Sequence, residues 1–229
     1  MTVPMPGTEQ EMNRWIRSQF GHPHGTLGHL VGWVMAMENR NRNKWVVQQL
    51  PLKRDSRVLE VGFGPGVALN VLAARLPEGE VVGVDPSSIM VAQAKRRNAE
   101  SIRKGKMRLI HGTVEGMTGE DGQFDVIYSV NTLGRHYDLE RSLSALIPRI
   151  RPGGTLAIVH QSPEKQNEEK RIAIRRGIQK SMASAGFTDF QIMQKETKGS
   201  PICMVVGRLP VAAVYAETMP HGHAVTAID

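Results

Sequence analysis

An α/β fold is predicted for this chain of 229 residues: a doubly wound, mostly parallel seven-stranded sheet with one antiparallel strand near its end, behind an N-terminal helical lid. Three observations predict it. From Arg57 onward, strand-like apolar runs alternate with helical stretches, which places crossover helices on both faces of a parallel sheet. Glycines 62, 64 and 66 follow the first such run, where bare backbone lets the chain turn sharply and a ligand come close. The last two runs, DFQIMQK and ICMVVGRL, are joined by only KGSP, which permits an antiparallel pair and no crossover helix.

The elements follow in order. Residues 1–44 form the N-terminal helical segment: Met12, Trp15, Ile16 and Phe20 recur at helical spacing, FGHPHGTLGH is a loop, and Leu30, Val31, Val34 and Met37 resume the helical period. The polar run ENRNRNK then reads as a solvated face. The main domain, 45–209, alternates RVLEV with ALNVLAARL and VVGV with a helix through IMVAQAKRRN. MRLI comes next, then FDVIYSV, a helix through LERSLSALIPRI, and TLAIVH. A charged helix over residues 166–185 stops at Gly186 and leads into the closing strand pair. Residues 210–229 carry little pattern and read as a tail or a lid.

Composition narrows the class. Lys and Arg number 29 against 22 acids, a net charge of +7, but the basic residues lie in short scattered groups and read as a basic surface. The single cysteine, Cys203, excludes a disulfide framework and a Cys-based zinc site. Cys203 itself reads as a buried apolar residue. The run LVGWVMAM is far shorter than the roughly 20 residues of a membrane span. With no signal-peptide layout, a cytoplasmic protein is expected. His22, His24 and His29 lack a carboxylate or Cys partner at ligand spacing, so no metal is expected.

The chemistry lies at the strand tips. The loop after the first strand reads G-x-G-x-G with Glu60 just before it, and a carboxylate there would repel a pyrophosphate and attract an ammonium group. VVGVD ends in Asp85, whose two oxygens match the spacing of a ribose diol. A ligand with an amino-acid-like end and a nucleoside is implied, and S-adenosylmethionine has that anatomy.

The motifs E-V-G-F-G-P-G (60–66), G-V-D-P-S-S-I-M (83–90), H-G-T-V-E (111–115), F-D-V-I-Y-S-V-N-T-L (124–133) and L-I-P-R-I-R-P-G-G-T-L (146–156) occur in that order. Over Trp45 to Leu209 the chain resembles the class I S-adenosylmethionine-dependent methyltransferases, with a looser likeness to the ubiquinone/menaquinone type. The resemblance implies a Rossmann-like fold and S-adenosyl-L-methionine as cofactor. It assigns Glu60, Gly62, Phe63, Gly64 and Gly66 to the methionine part. It assigns Asp85, Pro86 and Ser87 to the ribose, and Met90, Gly112, Thr113 and Val114 to the adenine. Thr113 departs from the acid or amide commoner in the family. Ser129, Val130 and Asn131 fall next to the expected methyl group.

The acceptor is less determined. His136 and His160 are the candidate bases or substrate contacts, because an imidazole titrates near neutrality. Trp15, Phe20, Trp33 and Met37 would line an apolar pocket under the lid. A small-molecule acceptor, aromatic or lipid-like, is the leading expectation. Lipid methylation at a membrane surface and RNA or protein methylation are the alternatives. Nucleic acid is disfavoured, since Ser129-Val130-Asn131-Thr132 lacks the proline pair of amine-type enzymes and no Cys lies nearby. A homodimer is left open.

Overall fold

The computed structural model describes residues 40–134, 138–161, 168–197 and 201–211. Its strands are β1 (Arg57–Val61), β2 (Glu80–Asp85), β3 (Met107–His111), β4 (Phe124–Val130), β5 (Ile150–Gln161), β6 (Thr188–Lys195) and β7 (Ile202–Arg208). The helices are α1 (Arg40–Gln49), α2 (Val67–Arg75), α3 (Ser88–Arg97), α4 (Ala99–Arg103), α5 (Leu139–Leu146) and α6 (Glu168–Ser184). The strands form one sheet in the order β3-β2-β1-β4-β5-β7-β6. Pairings from β3 through β5 are parallel, and β7 runs against both β5 and β6, so one reversed strand lies near the end as expected. The C-terminal ends of β1, β2, β4 and β5 therefore share one edge with the end of β6 and the start of β7.

Strand alternation divides the core into two layers. On one face, Val58, Val81, Val126, Ala157 and Val159 pack beneath α1, α2 and α3. On the other, Leu59, Val82, Ile127, Leu156 and Ile158 pack beneath α5 and α6. The inner strands are consequently apolar on both sides, which is why they read as continuous runs.

The expected boundary between residues 44 and 45 falls inside α1. Asn43, Val46, Val47 and Leu50 are all buried at helical spacing, and the Arg75 guanidinium donates to Val47 O at 2.7 Å. The polar run is thus partly a packed helix rather than a solvated face. At the other end Leu209 is anchored: Gly153 N donates to its carbonyl at 2.9 Å and its own N–H donates to Gly154 O at 2.9 Å. Residues 1–39, including Trp15, Phe20, Trp33 and Met37, lie outside the described residues, as do His136 and residues 212–229. Among the described residues no helix is long and apolar enough to cross a membrane.

Candidate active site

Asp85 ends β2 and Glu60 is the penultimate residue of the neighbouring β1, and both are inside the protein, 6% and 3% exposed. Backbone donors hold Asp85. Gly64 N donates to Oδ2 at 2.8 Å and Ser87 N to Oδ1 at 2.9 Å. Burial raises its pKa, while the Ser87 and Gly64 donors and His111 act in the opposite direction. Each oxygen keeps spare lone-pair capacity for a further donor.

Glu60 is in register with Gly83 on one side and Tyr128 on the other. Burial pushes its carboxyl up to about 8, with Tyr128 lowering it, Asp85 raising it and Arg42 lowering it. The Tyr128 hydroxyl is itself driven upward by burial and by Glu60. Glu60 Oε2 and the Tyr128 hydroxyl complete no well-formed hydrogen bond among the described residues. A buried carboxyl whose oxygen is only weakly engaged, here by the Tyr128 hydroxyl, can accept from a cation. Glu60 therefore carries a proton near neutral pH until such a cation arrives, so the expected repulsion of a pyrophosphate belongs to its ionised form alone.

The loop glycines have separate reasons. At Gly62 a Cβ would stand 2.2 Å from Thr132 Oγ1, so the loop lies directly on the turn after β4. At Gly66 a Cβ would strike Ala94 at 2.7 Å, where α2 begins against α3. Gly64 has φ +53 and nothing within 4 Å of a Cβ, leaving open space above the amide that holds Asp85.

Beside this loop is a solvent-open cleft walled by Val61, Gly62, Pro86, Thr113, Val114 and Leu133. Farther along its wall the Ser142 hydroxyl donates to Glu115 Oε1 at 3.3 Å. The expected sugar and adenine positions Pro86, Gly112, Thr113 and Val114 are thus brought together. Ser87 caps α3, accepting from Met90 N at 3.4 Å. Met90 is buried on that helix.

Two expected cofactor contacts have other work. The Phe63 ring is buried in the core, and a Cβ at Gly83 would meet its Cδ1 at 2.6 Å. Ser129 is fully buried, and its hydroxyl accepts from Leu133 N at 3.2 Å, fixing the turn after β4. Val130 is half-buried at the end of β4. Asn131, at φ +55, donates its N–H to Val159 O at 2.9 Å and accepts from Gln161 N through Oδ1 at 2.7 Å. Gln161 Oε1 in turn accepts from the Arg42 guanidinium at 3.1 Å. Arg42 was hidden in the polar run, and its charge reaches Glu60. The sequence signal for it is its place one position before Asn43 on the helix that packs over β1.

His160 does not line this cleft. It lines a second one with Arg171, Ile174, Arg175, Gln194 and Cys203. Tyr128 is packed, as expected, yet it stands beside Glu60.

A family model described as a methyltransferase domain matches residues 58–154. The uncharacterized methyltransferase YdaC of Bacillus subtilis (strain 168) is 31% identical over 170 residues, covering 74% of this chain and 92% of that protein. A trans-aconitate 2-methyltransferase of Variovorax paradoxus (strain S110) is 32% identical over 123 residues, 54% of this chain but only 44% of the relative. Among solved structures, a SAM dependent methyltransferase from Aquifex aeolicus shares the fold, with a TM-score of 0.60 at 19% identity over 73% of this chain and 89% of the other.

Proposed function

Because the chain belongs to the S-adenosylmethionine-dependent methyltransferases, we propose that it methylates a small-molecule acceptor by in-line displacement, with the protein supplying position and a dry cleft rather than a dedicated base. S-adenosylmethionine is the cofactor, and when bound it supplies an electrophilic methyl on a sulfonium. One observation carries the placement: Asp85 is pinned by Gly64 N and Ser87 N while Glu60, one strand over, is buried beside Tyr128 with an oxygen that completes no well-formed hydrogen bond. Glu60 takes the ammonium end, Asp85 the ribose hydroxyls, and the walls at Pro86, Thr113, Val114 and Leu133 the adenine. Open space at Gly64 admits the ligand's middle. Asn131, held by Val159 and Gln161, fixes the tip of β4 where the acceptor must approach.

His160 faces the second cleft, so no base is assigned to it. An acceptor already ionised needs none. The trans-aconitate relative supports a small acceptor of that kind. Titration calorimetry with S-adenosylmethionine and with NAD tests the placement. Binding of the first and not the second is expected, and the reverse would overturn it.

A further inference from the structure

The second cleft shares the sheet edge with the first but none of its lining residues. Its floor is one row of the sheet: His160, Cys203 and Gln194 are paired neighbours on β5, β7 and β6. Alternation puts His160 on the same side as Ile158, which packs in the core layer of Ile178 and Met182 on α6. The helix closes the cleft with Arg171, Ile174, Arg175 and Ile178, spaced three and four residues apart along one face. Pro201 completes the wall of this solvent-open cleft.

Its described polar side chains are basic or neutral. Two guanidiniums from α6 face the imidazole and the amide of the floor, Ile174, Ile178 and Pro201 supply the apolar lining, and no carboxylate is among the described lining residues. Glu168, one turn back on α6, binds Arg171 and is itself exposed. The Cys203 thiol is raised by burial, with the Arg175 charge and the Gln194 side chain pulling it down, so both reach the floor. The cleft also adjoins the methyl-transfer side: His160 lies between Val159 and Gln161, the two residues tied to Asn131.

We propose that this pocket binds a carboxylate-bearing small molecule, its anionic group held between Arg171 and Arg175, and that an acidic methyl acceptor is anchored there. The fork of a guanidinium matches a carboxylate, and the apolar lining of Ile174, Ile178 and Pro201 takes the carbon skeleton. The anchoring role rests on the methyltransferase reading; the anion site does not.

Cys203 is the only cysteine of the chain, so its alkylation by iodoacetamide reports the floor of this pocket. Citrate serves as the probe, with sodium chloride at matched ionic strength and neutral triethyl citrate as controls. Citrate is expected to slow alkylation several-fold at saturation, and Arg175→Gln and Arg171→Gln each to raise the half-effect concentration about tenfold. Arg175→Lys keeps the charge and is expected to recover part of the loss. Circular dichroism melts establish that the variants fold. Slowing no greater than with chloride, or equal with the neutral ester, overturns the site; so does an unchanged half-effect concentration in Arg175→Gln. S-adenosylmethionine calorimetry on the same protein separates the two readings. Citrate protection without cofactor binding sinks the transferase placement and leaves the anion site standing. Cofactor binding without citrate protection does the opposite.

Discussion

Two charge clusters share one edge of a single sheet, and they are built in opposite ways. The acids Glu60 and Asp85 are almost wholly buried and lie within residues 60–87, a stretch that also contains Gly64 and Ser87, the backbone donors of Asp85. The bases Arg171 and Arg175 are half-buried on one helix and converge with residues from three strands. A short-stemmed carboxylate buried in its ionised form needs fixed donors around it, as Asp85 has in Gly64 N and Ser87 N, so its loop must be local and rigid. A guanidinium on a long stem keeps water at its tip and needs only a helix face to aim it. The first cluster thus leaves a compact motif, while the second leaves none.

The largest effect should come from Asp85→Ala. It removes acceptors for two charge-assisted hydrogen bonds, each worth about 1.5–3 kcal/mol. S-adenosylmethionine affinity by calorimetry is expected to fall at least about a hundredfold, while citrate protection of Cys203 stays as in the wild type. Loss of both would show that the clusters are not independent.

Glu60 sharpens the contrast through pH. Its carboxyl, at about 8 against an ordinary 4.5, is held in the protonated form that a cationic ligand disfavours. Cofactor affinity should therefore tighten as pH climbs toward 8, with proton release measurable by calorimetry in buffers of different ionisation enthalpy. Glu60→Gln should bind more weakly, about tenfold, and without proton release. The sign for stability is the reverse. A raised carboxyl pKa means the unfolded chain gives up its proton first, so ligand-free stability falls as pH rises from 4.5 to about 8 and levels off above. Thermal melts of Glu60→Gln should lack that decline.

A smaller effect is expected between the clusters. Asn131→Ala loses the bond from Gln161 N and leaves a Cβ-bearing residue at φ +55. A loss of about 1–2 kcal/mol and a fall of a few degrees in Tm should follow. Asn131→Gly should fare better, since only the bond is lost.

Much of this fold was legible because buried parallel strands announce themselves. RVLEV and FDVIYSV coincide with β1 and β4 residue for residue. β5 begins earlier than TLAIVH, at Ile150, because Gly153 at φ +76 bonds to Leu209 and lets the preceding residues stay extended. α4 was missed because Asn98 ends α3 and starts α4 in one step, leaving no loop composition to read. Asp85 and the glycines were legible as residue types needed at strand tips. Phe63 and Ser129 were not, since both lie in the motif but turn into the core. The basic cleft was hidden because the inward stripe of α6 mixes arginine with isoleucine, and its floor becomes a row only once β7 pairs on both sides.

The aromatic ring at position 63 fills the hollow that Gly83 leaves in the neighbouring strand. It sits in the middle of the glycine turn and works as a peg driven into the sheet. The turn is therefore shaped while the chain folds, not when a guest arrives, and little ordering entropy is left to lose at encounter. Enlarging residue 83 by a single methyl would dislodge the peg and slacken the turn from beneath, though no atom that touches the guest had been altered.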